Sequence, residues 1–201
     1  MPLWLDPQPL VLASRSAVRR AMMEAAGIPV DVVVADLDER AIEEQGEFAG
    51  ASEAAVALAQ AKARAVGIAR PDRMVVGADQ TLAFGRHRLH KPADRDAARR
   101  QLATLAGHVH ELHSAVAVVR GERVVFSHVG IARLTMRPLS AEFIESYLDA
   151  AGPGATASVG AYQLEKLGVH LFEHIQGDHF TILGLPLLAL LPFLRREGSL
   201  A

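Results

Sequence analysis

The chain has no cysteine in its 201 residues. That excludes a disulfide framework and thiolate metal sites, and it agrees with a reducing compartment. A dominant charge is also missing: 21 Lys and Arg against 23 Asp and Glu leave a formal net charge of −2. Bulk nucleic acid, whose binding by counterion release needs a basic surplus, is therefore not an expected partner. No long hydrophobic run is present. The most apolar tract, residues 182–194, falls short of the roughly 20 residues a bilayer requires and is broken by Gly184, Pro186 and Pro192, so no membrane partner is expected. The opening Met-Pro-Leu-Trp-Leu-Asp-Pro-Gln-Pro carries no basic start, sustained apolar stretch or small-residue cleavage site. The expectation is a cytoplasmic protein without an export signal. Linkers rich in Ser, Gly or Pro, internal repeats and low-complexity segments are absent too. Residues 1–201 are thus read as one domain, with two lobes allowed.

Half the residues are hydrophobic, and they fall into alternating apolar runs and patterned segments. Strands are expected over residues 10–13, 30–35, 74–78, 112–119, 124–134 and 169–175, rich in Val, Ile and Leu and bounded by turn formers. Helices are expected over 17–26, over 53–66 after Ser52, over 95–106 after Asp94, over 141–150 after Ser140, and in the C-terminal apolar tract. The early β-α-β-α-β order favours an α/β sheet covered by helices, and Arg120-Gly121-Glu122 between Val-rich runs suggests a hairpin. The sheet should be mixed.

The most informative stretch runs from Leu10 to Arg20, a buried strand breaking into a helix whose first turn carries two arginines. Cations there oppose the helix dipole beside free backbone N–H groups, an arrangement that asks for an anion. A triphosphate can accept from those N–H groups, from Ser14 or Ser16, and from the forked guanidinium of Arg19. Asp79 follows the run Met74-Val75-Val76-Gly77-Ala78, at what reads as a strand's carboxyl end, where α/β sheets bind ligands. Lys62 interrupts a partly apolar helix row between Leu58 and Val66. It is either a snorkelling surface lysine or a cation aimed into a cleft. Lys91 is held toward extended geometry by Pro92. Asp36, Asp38 and Glu39 read as an acidic loop, either simply solvated or supplying oxygen ligands for Mg²⁺. Together these residues suit phosphoryl chemistry: cations hold phosphates, and carboxylates hold a hard metal or orient water.

Three other patterns carry less. His170-Leu171-Phe172-Glu173-His174 has a zinc-protease spacing that needs a helix, but the segment alternates like a strand. Gly152-Pro153-Gly154-Ala155-Thr156-Ala157 mimics a dinucleotide fingerprint, yet it follows a helix and reads as a loop. No Gly-x-Ser-x-Gly elbow supports a serine hydrolase.

Leu12-Ala13-Ser14-x-Ser16-x-x-Arg19-Arg20, Asp38-Glu39, Lys62-Ala63, Gly77-Ala78-Asp79, Lys91-Pro92, Gly160-Ala161-Tyr162 and Gly184-Leu185-Pro186-Leu187 together resemble the Maf proteins, in family order over nearly the whole chain. The resemblance implies a two-lobed α/β fold similar to inosine triphosphatases, with a mixed twisted sheet, helices packed around it and a central cleft. It implies a nucleoside triphosphate pyrophosphatase that cleaves between the α- and β-phosphates with Mg²⁺ or Mn²⁺. By the same resemblance Asp79 is the catalytic carboxylate, either a general base or a metal ligand. Arg19, Lys62 and Lys91 are the phosphate-contacting cations, with Ser14 kept as a phosphate donor from the helix reading above, and Glu39 joins Asp79 at the metal.

Base specificity falls to Val18, Gln80 and Glu165. Gln80 and Glu165 resemble the branch acting on 7-methyl-GTP, whereas Val18 stands where that branch carries an aromatic residue and Ala17 replaces the family's proline. A modified or non-standard nucleotide is the expected substrate, and a homodimer is an allowed assembly. Maf relatives are also associated with restraint of septum formation, so the competing expectation is a nucleotide-binding regulator with little turnover. Asp79, Lys62 and Lys91 favour hydrolysis, because a pure binder has no use for a carboxylate at the phosphates.

Overall fold

The computed structural model describes residues 2–201. Its elements are β1 (Leu10–Ala13), α1 (Ala17–Ala25), β2 (Val30–Val32), α2 (Glu39–Gln45), α3 (Ala51–Gly67), β3 (Met74–Phe84), β4 (His87–Leu89), α4 (Arg95–Leu105), β5 (Val109–Arg120), β6 (Arg123–Met136), α5 (Ala141–Ala151), α6 (Gly154–Ala157), β7 (Phe172–Gln176), α7 (His179–Ile182) and α8 (Leu187–Arg196). The strands form one seven-stranded sheet of order β2-β1-β3-β5-β6-β7, with β4 paired to β3. β1 lies parallel to β2 and β3, while the β3–β4 and β6–β7 pairs are antiparallel. The mixed α/β sheet expected from the sequence is present. Among the described residues, no helix is long and apolar enough to cross a membrane.

The chain folds as two units. The first comprises Met1–Gln80, Ser114–Gly130 and His179–Ala201, and the second Thr81–His113 and Ile131–Asp178. In the first unit the two-residue period of a strand assigns each side chain to a layer. Leu10 and Leu12 of β1, Val76 and Ala78 of β3, and Val116 and Val118 of β5 pack with Met22 and Met23 of α1 and with Leu187, Leu190 and Leu194 of α8. Their neighbours Val11, Ala13, Val75 and Val119 pack on the other face with Ala63 and Val66 of α3. Ala115 and Ala117 meet Ala55 and Ala59 of that same helix. Both faces are buried, which is why these strands read as continuous apolar runs.

The second unit buries Leu82, Leu102, Leu105, Leu112, Leu134 and Leu148. Glu145 of α5 accepts from Arg95 and Arg99 of α4, and the two guanidinium groups hold its carboxyl down to about 2. His110, buried beside Tyr162, places Nε2 2.8 Å from the phenol oxygen. Burial pushes its imidazole down to about 4.

Several boundaries differ from the sequence expectation. β3 does not stop at Ala78 but runs on to Phe84. Residues 38–45 are not a loop: Asp38 caps α2, its Oδ1 accepting from the Ala41 amide at 3.0 Å. α3 begins at Ala51, before Ser52, and Glu53 reaches back to accept from the Ala49 amide at 2.8 Å. The strand expected from residue 169 starts at Phe172, because residues 167–171 wind into a 3₁₀ turn. Residues 154–157 form the one-turn α6. The C-terminal helix starts only at Leu187, with Pro186 at its cap position.

Alanines along the inner face of α3 let that helix sit unusually close to β3. A methyl group on Gly77 would collide with the Ala59 carbonyl oxygen and stand 2.7 Å from the Ala63 amide nitrogen, both parts of rigid helix backbone. Gly77→Ala should therefore force helix and strand apart and destabilise the chain by about 1–3 kcal/mol. Urea unfolding followed by circular dichroism checks this, and an unchanged midpoint would contradict the close approach.

Candidate active site

The alternation that builds the core also aims two adjacent polar residues at opposite faces of the sheet. Asp79 shares the side of Val75 and Gly77, toward α3, while Gln80 shares the side of Val76 and Ala78, toward α1 and α8. The parallel pairing with β1 ends at Ala13↔Gly77. Asp79 thus lies mid-strand in β3, yet two residues past the carboxyl end of its parallel neighbour. This corrects the expected strand end while preserving the place where α/β sheets bind ligands.

Lys62 comes from the α3 row between Leu58 and Val66, both buried. Its side chain is 11% exposed and does not snorkel: Nζ lies 2.7 Å from Asp79 Oδ1 and 2.7 Å from Glu39 Oε2. The Asp79 side chain is also 11% exposed and that of Glu39 53%. Glu39 is the first residue of α2, so the cap provided by Asp38 sets where its carboxylate emerges. One ammonium therefore gathers two carboxylates whose oxygens can be no further apart than twice the Lys62 contact distance.

Arg19 enters from α1, which Ser16 caps by accepting from the Arg19 amide at 3.3 Å. Its Nε donates to the Gly184 carbonyl at 2.8 Å, and Nη1 donates to the Ala78 carbonyl at 2.8 Å and to Ser14 Oγ at 3.3 Å. These bonds fix the guanidinium plane, and Nη2 has no hydrogen-bond partner among the described residues. Burial draws the guanidinium below its ordinary value, opposed by the attraction of Asp79 and then Glu39. It remains a cation, as arginine does throughout proteins. Arg20, by contrast, turns to the surface and pairs with Glu24 at 2.8 Å.

Ser14, Arg19, Glu39, Lys62, Asp79 and Gln80 are thus all in the first unit, with Val18 half-buried on α1 against its core. Lys91 and Glu165 belong to the second unit, where both are exposed. Sequence reasoning missed the partners of Gln80: Ser114 Oγ at 2.9 Å, and the Thr181 and Ile182 carbonyls at 3.3 and 2.9 Å. Backbone acceptors leave no residue signature, although the nearby Gly184-Leu185-Pro186 motif marked the segment. Chemically, the arrangement combines two fixed cations, one of them with unused donors, and two carboxylates able to bind a cation or accept a proton.

A model of the family described as Maf-like protein matches residues 9–197. The chain is 59% identical over 201 residues, covering 100% of both sequences, to a protein from Rhodopseudomonas palustris named nucleoside triphosphate pyrophosphatase. It is 51% identical, again over 201 residues and 100% of both, to a protein of the same name from Bradyrhizobium diazoefficiens. A Mesorhizobium japonicum protein named 7-methyl-GTP pyrophosphatase is 50% identical over 193 residues, covering 95% of this chain and 97% of that one.

The burial difference between the two carboxylates ranks their contributions to stability. Lys62→Met leaves Asp79 buried without its cation and should cost roughly 3 kcal/mol. Glu39→Gln removes a half-exposed partner and should cost less than about 1 kcal/mol. Urea titrations of the two variants check the ranking, which the reverse order would overturn.

Proposed function

The chain belongs to the Maf-like protein family, and from that premise we propose that the Arg19, Lys62 and Asp79 arrangement hydrolyses a nucleoside triphosphate to a nucleoside monophosphate and pyrophosphate. The chain is a nucleoside triphosphate pyrophosphatase, a hydrolase acting on acid anhydrides. The observation that carries the reading is the Lys62 ammonium held between Asp79 and Glu39, 2.7 Å from each, beside an arginine with a free outer nitrogen.

The polyphosphate binds as an anion competing for cations already in place. The free Nη2 of Arg19 donates to phosphate oxygens, with Ser14 and Lys62 adding donors. Lys62 exchanges part of its carboxylate contact for phosphate, which releases carboxylate oxygens at the reacting end. Water attacks the α-phosphorus, the bond from that phosphorus to the bridging oxygen breaks, and pyrophosphate departs with the bonding electrons. Asp79 either takes the water's proton or would serve as a ligand to a divalent metal. Lys91 adds a third cation for phosphate, an assignment that rests on the Lys91-Pro92 motif.

Mg²⁺ or Mn²⁺ fits the donor set. A hard divalent ion of this size takes one or two carboxylates and completes its shell with water and substrate phosphates. Asp79 and Glu39 would hold it, and when bound it supplies charge neutralisation and an acidified water. For the base, a modified purine such as 7-methyl-GTP is the reading favoured by Glu165, whose carboxylate can accept from a guanine edge or face a positively charged ring. The 50% identity to the Mesorhizobium protein named for that substrate supports it. Val18 offers the base an aliphatic surface in place of a stacking ring. Of the Gln80 amide, the oxygen is the atom left for a base, because the nitrogen is engaged. A triphosphate substrate implies the cytosol as the working compartment.

A panel of natural and modified triphosphates with Mg²⁺ or Mn²⁺, scored separately for pyrophosphate and orthophosphate, tests the reaction. Pyrophosphate is the expected product, and orthophosphate alone would point to cleavage at the γ-phosphate. Asp79→Asn should lower turnover by about 100-fold or more with binding largely kept. Unchanged turnover would remove Asp79 from the mechanism. Glu165→Ala should lower kcat/KM for guanine-type substrates by about tenfold more than for pyrimidine ones. Equal losses would deny Glu165 a role in base choice.

A further inference from the structure

Glu165 lies on a short turn that is buried at both ends. The Gln163 carbonyl accepts from the Lys166 and Gly168 amides, each at 3.1 Å. Tyr162 before this turn and Gly168 at its end are buried, while Glu165 itself is exposed. A methyl group on Gly168 would stand 2.4 Å from the Gln163 carbonyl oxygen, so the turn closes tightly on itself.

Tyr162 is the root of the turn. Its hydroxyl lies 2.8 Å from Nε2 of His110 on β5, and its ring meets Phe172, the first residue of β7, edge to face with centroids 4.8 Å apart. His110 is only 1% exposed, and its second nitrogen, Nδ1, is buried with no hydrogen-bond partner among the described residues. The phenol is therefore the imidazole's one polar contact among those residues, and losing it would leave both ring nitrogens unsatisfied. Burial pushes the imidazole down to about 4 and raises the phenol above its ordinary value, so the pair stays neutral around neutral pH.

The backbone entering Tyr162 needs this anchorage. Gly160 has φ +76° and Ala161 has φ +63°, the latter being the one residue other than glycine with a left-handed backbone among those described. Such a conformation costs free energy in an L-residue and persists only where surrounding contacts dictate it. Tyr147 of α5 donates its hydroxyl to the Ala161 carbonyl at 3.2 Å, and a methyl group on Gly160 would stand 2.7 Å from Leu82 Cδ1 of β3. All of these residues belong to the second unit.

We propose that the His110–Tyr162 pair is a positioning device for base choice, which fastens the Gln163–Gly168 turn to β5 and thereby sets where the Glu165 carboxylate meets the base. Neither side chain needs to touch the nucleotide. A hydrogen bond to a base edge is directional, so a carboxylate on a loosened turn loses discrimination while keeping its charge. Ser14, Arg19 and Lys62, assigned to phosphate, are all in the first unit, so binding of the polyphosphate is left alone.

The proposal rests on the role given to Glu165 above. Tyr162→Phe keeps the ring and removes the hydroxyl. Hydrogen–deuterium exchange of the full chain should then be about fivefold faster at the Lys166 and Gly168 amides. The ratio of kcat/KM for 7-methyl-GTP to that for UTP should fall about threefold, and Tyr162→Phe should leave the ratio unchanged in a Glu165→Ala background. Calorimetric affinities for the two nucleotides give the same ratio where turnover is absent, which separates the proposal from the pyrophosphatase reading. Affinity for inorganic tripolyphosphate, which has no base, should match that of the wild type. Unaltered exchange, a further fall of the ratio in the Glu165→Ala background, or an equal loss of tripolyphosphate affinity would each overturn the proposal.

Should circular dichroism show Tyr162→Phe unfolded, His110→Gln and His110→Leu carry the comparison, since a glutamine amide nitrogen reaches the place of Nε2. His110→Gln should retain the ratio that His110→Leu loses, and equal losses would reject the pair as a hydrogen-bonded anchor. Base preference insensitive to Glu165→Ala refutes the reading of Glu165, and the proposal with it. Preference lost with Glu165→Ala but kept with Tyr162→Phe refutes the pair alone.

Discussion

A single ammonium group, sunk among the alanines of α3 and shared by Asp79 and Glu39, is the interaction on which the site depends. Removing an ion from water costs several kcal/mol, and this cost is tolerable only where opposite charges stand in contact. Lys62 meets that condition with two carboxylates, one reached across the helix–strand contact and one from the cap of α2. The geometry of that meeting depends in turn on Gly77, which lets β3 come against the backbone of α3 two residues before Asp79. A larger residue there would alter the spacing of the charges along with the packing.

The second organising constraint is the pleat. Adjacent residues on β3 look to opposite faces, so Asp79 and Gln80 act in different surroundings although they are bonded to each other. One faces a charged partner on α3, the other a cluster of neutral backbone acceptors. Arg19 is where the two sides meet. It bonds the Ala78 carbonyl between them and feels the carboxylates electrostatically.

How much of this was legible in the sequence follows from which forces leave residue patterns. Apolar alternation and side-chain caps are local, so the layers of the sheet and the starts after Asp94 and Ser140 could be read directly. Lys62 declared itself by interrupting an apolar row, and Asp79 by ending an apolar run. The same polarity hid the rest of β3. Asp79 and Gln80 break the hydrophobic pattern while the strand continues, because their polar groups are satisfied by distant partners that a local pattern does not contain. α2 was obscured similarly: its acids suggested a solvated loop, although Asp38 and Gly46 are legitimate boundaries for a helix. The partners of Arg19 and Gln80 at Gly184 and Ile182 are main-chain carbonyls, which every residue possesses.

The overshoot of β3 past β1 has an architectural consequence. Beyond Ala13↔Gly77 the shorter strand no longer accompanies the longer one, and the next carbonyl, that of Ala78, receives a guanidinium. Arg19 accordingly acts as a surrogate neighbour at a gap in the sheet, sealing main-chain polarity as an adjoining strand would. Lysine at this position would preserve the charge but lose the fork that spans Ala78 and Gly184, so electrostatic and scaffolding duties here are inseparable in one side chain.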